Sequence, residues 1–328
     1  MTSHSVTQRD VWKAKNRIAP WVTKSPLIYS KPLSETAGSP VHLKLENLHP
    51  AYSFKIRGAA NKMLNLPSQE QKRGVVTFST GNFGLSVAYM AKKLHINAVI
   101  CISRWVPQTK IETLKRFGAQ IEMSGNSQDD AENRGYQLAK EHGLTLIHPF
   151  DDGLVIAGQG TIGLEILEEM PEVDTVIGGL SGGGLHAGLG VALKTADPNI
   201  RITGISTIRG PAMYESIKQG EPVTVTEQNT LADSLLGGIG RDNHYTMAMV
   251  KQYVDDILLL DDDSIARGMV FMLEQERMVV EGAAASGIGA ILDNRVQLGS
   301  HAVVVVSGCN VDPMTMTSLN NPFDNDNV

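Results

Sequence analysis

The amino-acid sequence predicts an α/β protein whose mainly parallel sheets are flanked by helices. Short runs rich in β-branched residues alternate with segments of helical spacing, and this alternation is typical of parallel sheets covered on both faces. Several runs are apolar throughout, as strands buried on both sides are expected to be. In open parallel sheets, ligands bind at the loops that follow the carboxyl ends of strands, so functional residues are sought there.

The elements follow one another regularly along the chain. Strands are predicted at residues 75–79, 98–103, 120–124, 145–148, 174–177, 201–206, 257–260 and 302–306. Helices are predicted at residues 85–94, 110–117, 130–141 and 161–169. Gly118 and Gly143 follow two of these helices, at the position where a glycine commonly ends a helix.

The composition indicates a reduced, intracellular protein with a packed core. The chain has 328 residues, of which 42% are hydrophobic and 20% charged, and its formal net charge is −6. This negative balance argues against nucleic acid and anionic membrane surfaces as partners. The two cysteines, Cys101 and Cys309, have no CxxC partner. Because the sequence shows neither a secretion signal nor an apolar run that could span a bilayer, we expect a cytoplasmic location.

The first segment that carries chemistry is SFKIRGA, residues 53–59. Lys55 lies between Phe54 and Ile56, beside small residues. Partial burial would disfavour its ammonium form and leave a nucleophilic amine, which is what imine formation with an aldehyde requires. The alternative is a lysine that extends along the surface with Arg57 in solvent, since charged residues mostly stay exposed.

The second segment is STGNFG, residues 79–84, which follows a predicted strand and leads into a predicted helix. Its hydroxyls, its amide side chain and the N–H groups of a helix start form an anion site that suits a substrate carboxylate. An ordinary strand–helix turn capped by serine or threonine is the alternative.

The third segment is GGLSGGGL, residues 178–185, between a predicted strand and a helix. Three adjacent glycines allow backbone amides to close on a phosphate, which the helix dipole also favours. A nucleotide P-loop is excluded because Leu185 stands where that motif needs lysine. Gly182 to Ala187 formally match a dinucleotide fingerprint, but the next strand ends at Ser206, without the acidic residue that binds a ribose. The segment therefore favours a phosphate over NAD.

The fourth segment is VVSGCN, residues 305–310, at the end of a strongly apolar strand. Ser307 at this position would present a neutral hydroxyl to a ring nitrogen. A strand terminus with a turn-forming Ser-Gly pair is the alternative.

The order of these four segments resembles a known family. SFKIRGA, STGNFG, SGGGL and VVSGCN follow one another as in fold-type II pyridoxal 5′-phosphate (PLP) enzymes, which are tryptophan synthase β-like, and the chain is similar to the serine/threonine dehydratase and serine racemase group. The likeness spans roughly residues 11–313 and includes IAGQGTIGLEI and VVEGAAASG. Within the group the chain most resembles the hydroxyectoine utilization dehydratase branch, through AVICISRWVPQTK, SQDDAE, HPFDD and VVEGAAA.

The resemblance implies PLP as the cofactor and gives each segment a role. Lys55 would form the Schiff base with PLP and then remove the substrate Cα proton, while Phe54 packs near the ring and Asn82 hydrogen-bonds the 3′-oxygen. The phosphate would be bound by Ser181, Gly182, Gly183, Gly184 and Leu185. The substrate carboxylate would be bound by Ser79, Thr80, Gly81, Asn82 and Phe83.

Ser307 matches the serine that contacts the pyridine nitrogen, and this match has a chemical consequence. A neutral hydroxyl does not keep the ring nitrogen protonated, so the ring is a weaker electron sink and a carbanion should expel a β-leaving group promptly. The resemblance thus implies elimination of a β-hydroxyl, to give a 2-oxo acid and ammonia. Threonine, serine and a hydroxyectoine-derived compound such as 3-hydroxyaspartate are the candidate substrates. Residues 128–129, 148–151 and 236–240 are expected to select the substrate side chain.

The sequence departs from the family at several positions. Phe83 stands where histidine is frequent, and Ser181 replaces the first glycine of the phosphate loop. Ser206 and Ala212 stand where serine racemase has the acidic residues of its cation site, so no metal is expected. Thr80 takes the place of the acid/base serine of serine racemase, which leaves racemisation open as an alternative activity.

Two domains are expected, with PLP between them. Residues 73–143 would form a small domain inserted into a large PLP-binding domain made of residues 1–72 and 144–328. Closure of the small domain would exclude water from the site.

The expected ligand is a small amino acid, and a homodimer is implied by the family resemblance. An NAD-binding oxidoreductase and a non-catalytic, metabolite-sensing relative are the alternatives from other classes.

Overall fold

A computed structural model describes residues 5–79, 81–104, 106, 108–126, 128–240 and 242–319. The strands are β1 (Leu27–Tyr29), β2 (Val41–Leu45), β3 (Val75–Phe78), β4 (Ala98–Ile102), β5 (Gln120–Met123), β6 (Thr145–Leu146), β7 (Thr175–Gly179), β8 (Arg201–Thr207), β9 (Asp256–Leu260) and β10 (Ala302–Val306). The α-helices are α1 (Gln8–Ile18), α2 (Lys31–Ala37), α3 (Ile56–Leu64), α4 (Ser68–Arg73), α5 (Asn82–Leu94), α6 (Gln108–Arg116), α7 (Gln128–His142), α8 (Gly153–Glu169), α9 (Gly184–Ala196), α10 (Ala212–Gln219), α11 (Thr246–Tyr253), α12 (Asp262–Glu274), α13 (Gly282–Leu292) and α14 (Pro313–Leu319). Short 3₁₀ helices lie at Glu46–Leu48 and Asp233–Leu235.

The larger sheet brings two of the predicted cofactor segments together. Its six strands lie in the order β1-β2-β10-β7-β8-β9, and every neighbouring pair is parallel except β1 with β2. Strand β10, with the sequence AVVVV, is buried along its whole length, as a β-branched strand covered on both faces should be. Because β10 and β7 are parallel neighbours, Ser307 and the glycine segment 178–185 leave the same end of the sheet.

The smaller sheet carries the third segment. Its order is β5-β4-β3-β6, with all pairs parallel, and its strands come from residues 75–146. Segment 79–84 leaves the carboxyl end of β3, which lies between β4 and β6. Strand β6 lies just beyond residue 143, where the inserted domain is predicted to end. The division into two domains stays a prediction.

Glycines allow three helices to approach one another closely. A Cβ added to Gly188 of α9 would lie 2.5 Å from the backbone nitrogen of Gly160 in α8. A Cβ added to Gly158 of α8 would lie 2.6 Å from the carbonyl oxygen of Arg57 in α3. Since α3 begins beside Lys55 and α9 begins at the glycine loop, this packing fixes the two segments relative to each other.

The predicted α/β class is confirmed by the observed elements. All eight predicted strands are present among the described residues, and the predicted helices are present with shifted ends, the largest shift being in α8, which begins at Gly153 instead of residue 161. Gly118 and Gly143 have φ values of +85° and +65°, as helix-ending glycines should. Strands β1 and β2 were missing from the prediction because β1 has three residues and β2, VHLKL, contains a lysine.

The described residues contain neither a membrane-spanning helix nor a metal-binding cluster. No helix there combines the length and apolarity needed to cross a bilayer. No group of three or more His, Cys, Asp or Glu side chains in that part of the chain is arranged to hold a metal ion. The absence of a metal, like the cytoplasmic location, stays a prediction.

The contact between α8 and α9 can be tested with Gly188→Ala. The added methyl group must displace the α8 backbone, so we expect a loss of about 1–3 kcal/mol of stability, which exceeds the gain in helix propensity. Gly135→Ala in α7 is the matched control, because its Cβ would have only ordinary contacts, the nearest at 3.5 Å. Urea unfolding followed by circular dichroism should place the midpoint of Gly188→Ala below that of the wild type and that of Gly135→Ala at or above it. Equal midpoints for the two variants would contradict the close approach.

Candidate active site

The loops after β3, β7 and β10 surround one pocket together with the start of α3. The described residues that line it are Phe54, Lys55, Asn82, Pro149, Phe150, Gln159, Gly179, Ser181, Gly182, Gly183, Gly184, Leu185, His186, Ser234, Leu235, Glu281, Ala283 and Ser307. Every residue that was predicted to bind the cofactor is among them. The pocket therefore unites segments that are far apart in the sequence.

A short antiparallel contact holds Lys55 beside the end of β10. Residues 52–54 pair with residues 307–309, and the N–H of Phe54 donates to the carbonyl oxygen of Ser307 at 3.0 Å. Lys55 follows directly, at the N-cap position of α3. The backbone pairing thus places the amine of Lys55 and the hydroxyl of Ser307 on the same pocket.

The surroundings of Lys55 favour its neutral form. Burial lowers the pKa of Lys55, while the nearby acids Glu281 and Asp233 oppose this shift. Its Nζ lies 5.9 Å from the centroid of the Phe54 ring. An amine with a lowered pKa is available as a nucleophile and as a base, which is the state that imine chemistry requires.

Arg57 is buried in a cluster of paired charges directly behind Lys55. Its guanidinium donates to both carboxylate oxygens of Glu46, at 2.7 and 2.8 Å, and to both of Glu165, at 2.6 and 2.8 Å. Lys44 contacts Glu165 at 2.8 Å, and the ring of His49 contacts Glu46 at 3.0 Å. All five side chains are buried. The expectation that Arg57 extends into solvent, the alternative considered for SFKIRGA, is therefore wrong.

The charges of this cluster stabilise one another. Burial alone would raise the pKa of Glu46, but Arg57 and His49 hold that pKa well below its usual range. Burial alone would lower the pKa of Arg57, but the carboxylates of Glu46 and Glu165 raise it further above its usual value. Because Arg57 lies two residues after Lys55, these bonds fix the start of α3 and with it the backbone position from which the Lys55 side chain extends.

The glycine loop presents backbone N–H groups to the pocket. Within the described part of the chain, the N–H groups of Gly182, Gly183 and Gly184 donate to no acceptor, and the first N–H groups of a helix have no partner in the helix itself. Gly183 has a φ of +86°, and a Cβ on Gly182 would lie 2.5 Å from the ring of Phe150. Side chains here would thus fill the cradle. Free N–H groups at the start of α9 suit a phosphate.

The loop HPFDD, residues 148–152, covers the glycine loop. Burial lowers the pKa of His148 to about 4, and its Nδ1 accepts hydrogen bonds from the N–H groups of Phe150 and Asp151 at 3.3 and 2.8 Å. Asp151 in turn accepts from the N–H groups of residues 244–246. Phe150 is held in this way against the phosphate cradle. Residues 148–151 were expected to select the substrate side chain, and this role stays a prediction; the position of Phe150 against the cradle was not predicted.

The predicted carboxylate loop is only partly brought into the pocket. Asn82 lines it, whereas Ser79, Gly81 and Phe83 are not among the lining residues. The side chain of Phe83 is fully buried in the apolar core, so only its backbone can meet a substrate. Thr80 lies outside the described residues, and its predicted roles stay predictions.

Glu281 is the functional candidate that sequence reasoning missed. It lies in VVEGAAASG, was given no role, and lines the pocket while only 3% exposed. Burial raises the pKa of Glu281, and a hydrogen bond from Asn82 opposes the shift. The signal in the sequence was a single carboxylate at the start of a long run of small residues.

The pocket fits PLP. It offers an amine with a lowered pKa for the aldehyde, a cradle of N–H groups for the phosphate, an aromatic side chain near that cradle and the hydroxyl of Ser307 for the ring nitrogen. The roles of the individual residues stay predictions.

Comparison with known proteins agrees with this interpretation. The family model described as "Pyridoxal-phosphate dependent enzyme" matches residues 18–309. The chain belongs to this family of PLP-dependent enzymes, and the fold-type II class and the cofactor predicted from the sequence are confirmed.

Individual relatives cover nearly the whole chain. A putative threonine dehydratase of Sinorhizobium fredii is 43% identical over 94% of this chain and 93% of its own length. The L-threonine ammonia-lyase of Thermotoga maritima is 39% identical over 94% of this chain and 76% of its own length. Among solved structures, maize serine racemase has a TM-score of 0.90 and 34% identity, with 96% of this chain and 97% of that chain covered.

The Arg57 cluster can be tested with Arg57→Met. Removing the guanidinium leaves Glu46 and Glu165 buried without their main partner, so we expect a loss of about 3–5 kcal/mol of stability. The matched control is Arg134→Met, which breaks the surface pairs of Arg134 with Glu122 and Glu141 and should change the stability far less. Chemical denaturation of both variants measures the difference. A cost for Arg57→Met as small as that of the control would show that the cluster contributes little.

Proposed function

We propose that this enzyme eliminates the β-hydroxyl group of a small β-hydroxy-α-amino acid, to give a 2-oxo acid and ammonia. The observation that carries the proposal is the position of Lys55, whose amine lines the same pocket as the glycine loop 182–184 and Ser307. An amine, a phosphate cradle and a neutral hydroxyl at the end of β10 together suit elimination through PLP.

The residues divide the work of the reaction. PLP, when bound, withdraws electrons from the substrate Cα. Lys55 would hold the cofactor at its aldehyde, and its amine would take the Cα proton of the substrate. The N–H groups of the glycine loop would hold the phosphate, and Ser307 would offer the ring nitrogen a neutral hydroxyl. Asn82 and the start of α5 orient the substrate carboxylate and the cofactor 3′-oxygen, and Phe150 covers the cradle.

The relatives support elimination as the reaction. The two bacterial relatives are named as a putative threonine dehydratase and an L-threonine ammonia-lyase, and these names denote loss of water and release of ammonia. Serine racemase from maize has the same fold, so racemisation is the second candidate activity.

The pocket wall supports a substrate with a neutral side chain. Of the eighteen described residues that line the pocket, six have apolar side chains, among them Pro149, Phe150, Leu235 and Ala283, and four are glycines. Lys55 is the only cation among the described residues that line the pocket, and Glu281 adds a carboxyl group. A second substrate carboxylate would be desolvated without a cationic partner, at a considerable cost. We therefore place threonine and serine before 3-hydroxyaspartate, the substrate suggested by the hydroxyectoine branch.

Lys55→Ala tests the proposed function. Without the amine, added PLP should no longer give the visible absorbance band of the wild type, and ammonia release should fall by about 10²–10⁴-fold from the loss of the base alone. Lys31→Ala, which removes an exposed lysine paired with Glu35, is the control and should behave as the wild type. If the spectrum and activity of Lys55→Ala equal those of the wild type, the proposal fails.

The substrate proposal is tested by ammonia release from L-threonine, L-serine and the stereoisomers of 3-hydroxyaspartate. We expect kcat/KM for threonine or serine to exceed that for hydroxyaspartate by about tenfold or more, which corresponds to about 1.4 kcal/mol of unpaired charge in the pocket. A higher kcat/KM for hydroxyaspartate would overturn the assignment of the side chain while leaving the reaction in place. Chiral analysis of the same mixtures distinguishes the second candidate, because D-amino acid without ammonia indicates racemisation.

A further inference from the structure

Glu281 is a buried carboxylate whose hydrogen bonds all lead to the cofactor pocket. It occupies the N-cap position of α13, yet its side chain does not cap that helix. Instead, Oε1 and Oε2 accept from Nδ2 of Asn82 at 2.7 and 3.0 Å, and Oε2 accepts from the N–H of Asn310 at 3.1 Å. The carboxylate is thus directed across the pocket wall, from the larger sheet to the start of α5.

Glu281 itself is held rigidly. Its backbone N–H donates to the carbonyl oxygen of Gly308 at 3.2 Å. A Cβ on Gly308 would lie 3.1 Å from the Glu281 carboxyl carbon, so glycine leaves the room that this side chain occupies. The position of the carboxylate is therefore set by the same backbone, residues 307–309, that pairs with residues 52–54 beside Lys55.

These contacts decide which end of the Asn82 amide faces which neighbour. The side-chain amide of Asn310 donates to Oδ1 of Asn82, and the carboxylate of Glu281 accepts from Nδ2. A rotation of the Asn82 amide by 180° would set its oxygen against the carboxylate and its N–H₂ group against another N–H₂ group. Only one orientation satisfies all partners.

We propose that Glu281 is a positioning residue that holds Asn82 with an N–H directed at the phenolic 3′-oxygen of PLP. The amide nitrogen has two hydrogens. One hydrogen between the two carboxylate oxygens accounts for both contacts with Glu281, and the other is free to face the pocket. Without an acceptor at this place, Asn82 can turn its carbonyl oxygen to the cofactor, where it would repel another oxygen. This inference rests on the proposed function, since it assumes that PLP is bound at Lys55.

A double-mutant cycle on PLP affinity tests the proposal. The variants are Glu281→Gln, Asn82→Ala and the double variant, and the measurement is the dissociation constant of PLP from titration of the apoenzyme at one fixed pH. Glutamine keeps one acceptor oxygen but sets an N–H₂ group against Nδ2 of Asn82 or the N–H of Asn310, and Asn82→Ala removes the amide altogether. We therefore expect about a tenfold weaker affinity in each single variant. If Glu281 acts through Asn82, the double variant should bind no more weakly than Asn82→Ala. The proposal would be overturned if the double variant weakened PLP binding by the product of the two single effects. It would also be overturned if Glu281→Gln bound PLP as tightly as the wild type.

Two further measurements separate positioning from general stability. Glu276→Gln is the matched control, because Glu276 lies five residues earlier and contacts Ser30, away from the pocket; it should bind PLP as the wild type does. Asn310→Ala provides a second route should Glu281→Gln fail to fold, since it releases the other end of the Asn82 amide, and its effect should likewise vanish in Asn82→Ala. The visible absorbance band of bound PLP distinguishes failure of this inference from failure of the proposed function. The Glu281 variant should still show the band at saturating PLP, whereas a wild type without the band would refute PLP binding itself.

Discussion

The structure depends on one constraint, namely that the amine of Lys55 must be partly desolvated and yet held in place. Desolvation makes the amine reactive but removes the water and the ion pair that would normally fix a lysine. The chain meets both demands because the paired charges surround Arg57, two residues after Lys55, and do not include Lys55 itself. Arg57, Lys44, Glu46 and Glu165 form a buried group with two positive and two negative charges, in which every charge has a close partner. The helix that starts beside Lys55 is thereby anchored, while Lys55 itself carries no strong ion pair among the described residues.

The second constraint is the distance between the amine and the phosphate cradle. They lie on different helices, α3 and α9, and both helices pack against α8 through glycines. Helices in close backbone contact have little freedom to slide past each other. Helix packing therefore sets the distance between the groups that bind the two ends of the cofactor. The parallel register of β10 and β7 then brings Ser307 to the same place. The three groups that must meet one small molecule are thus positioned by the core, and not by flexible loops.

The sequence was sufficient to predict the fold class, most strands and the segments that line the pocket, because each of these has a local signal. β-Branched runs, helix-ending glycines and the glycine-rich turn are visible within a few residues. The Arg57 cluster has no such signal, since its members are spread from residue 44 to residue 165 and a buried lysine in VHLKL looks like an exposed one. Strand β2 was missed for the same reason. Lys44 can be buried because Glu165 lies 2.8 Å away and the carbonyl oxygen of Ser25 accepts from its Nζ at 2.6 Å, and these contacts exist only in the folded chain.

Glu281 shows how a carboxylate can line the same pocket as Lys55 without pairing with it. A carboxylate beside Lys55 would ordinarily form an ion pair, which would keep the amine protonated and unreactive. Here three N–H···O contacts from Asn82 and Asn310 stabilise the carboxylate, so it does not need the lysine as its partner. Burial lowers the pKa of Lys55 and raises the pKa of Glu281, so it favours the neutral form of both groups. A pocket built in this way can contain an acid and keep its amine free for the cofactor, because amide groups satisfy the acid.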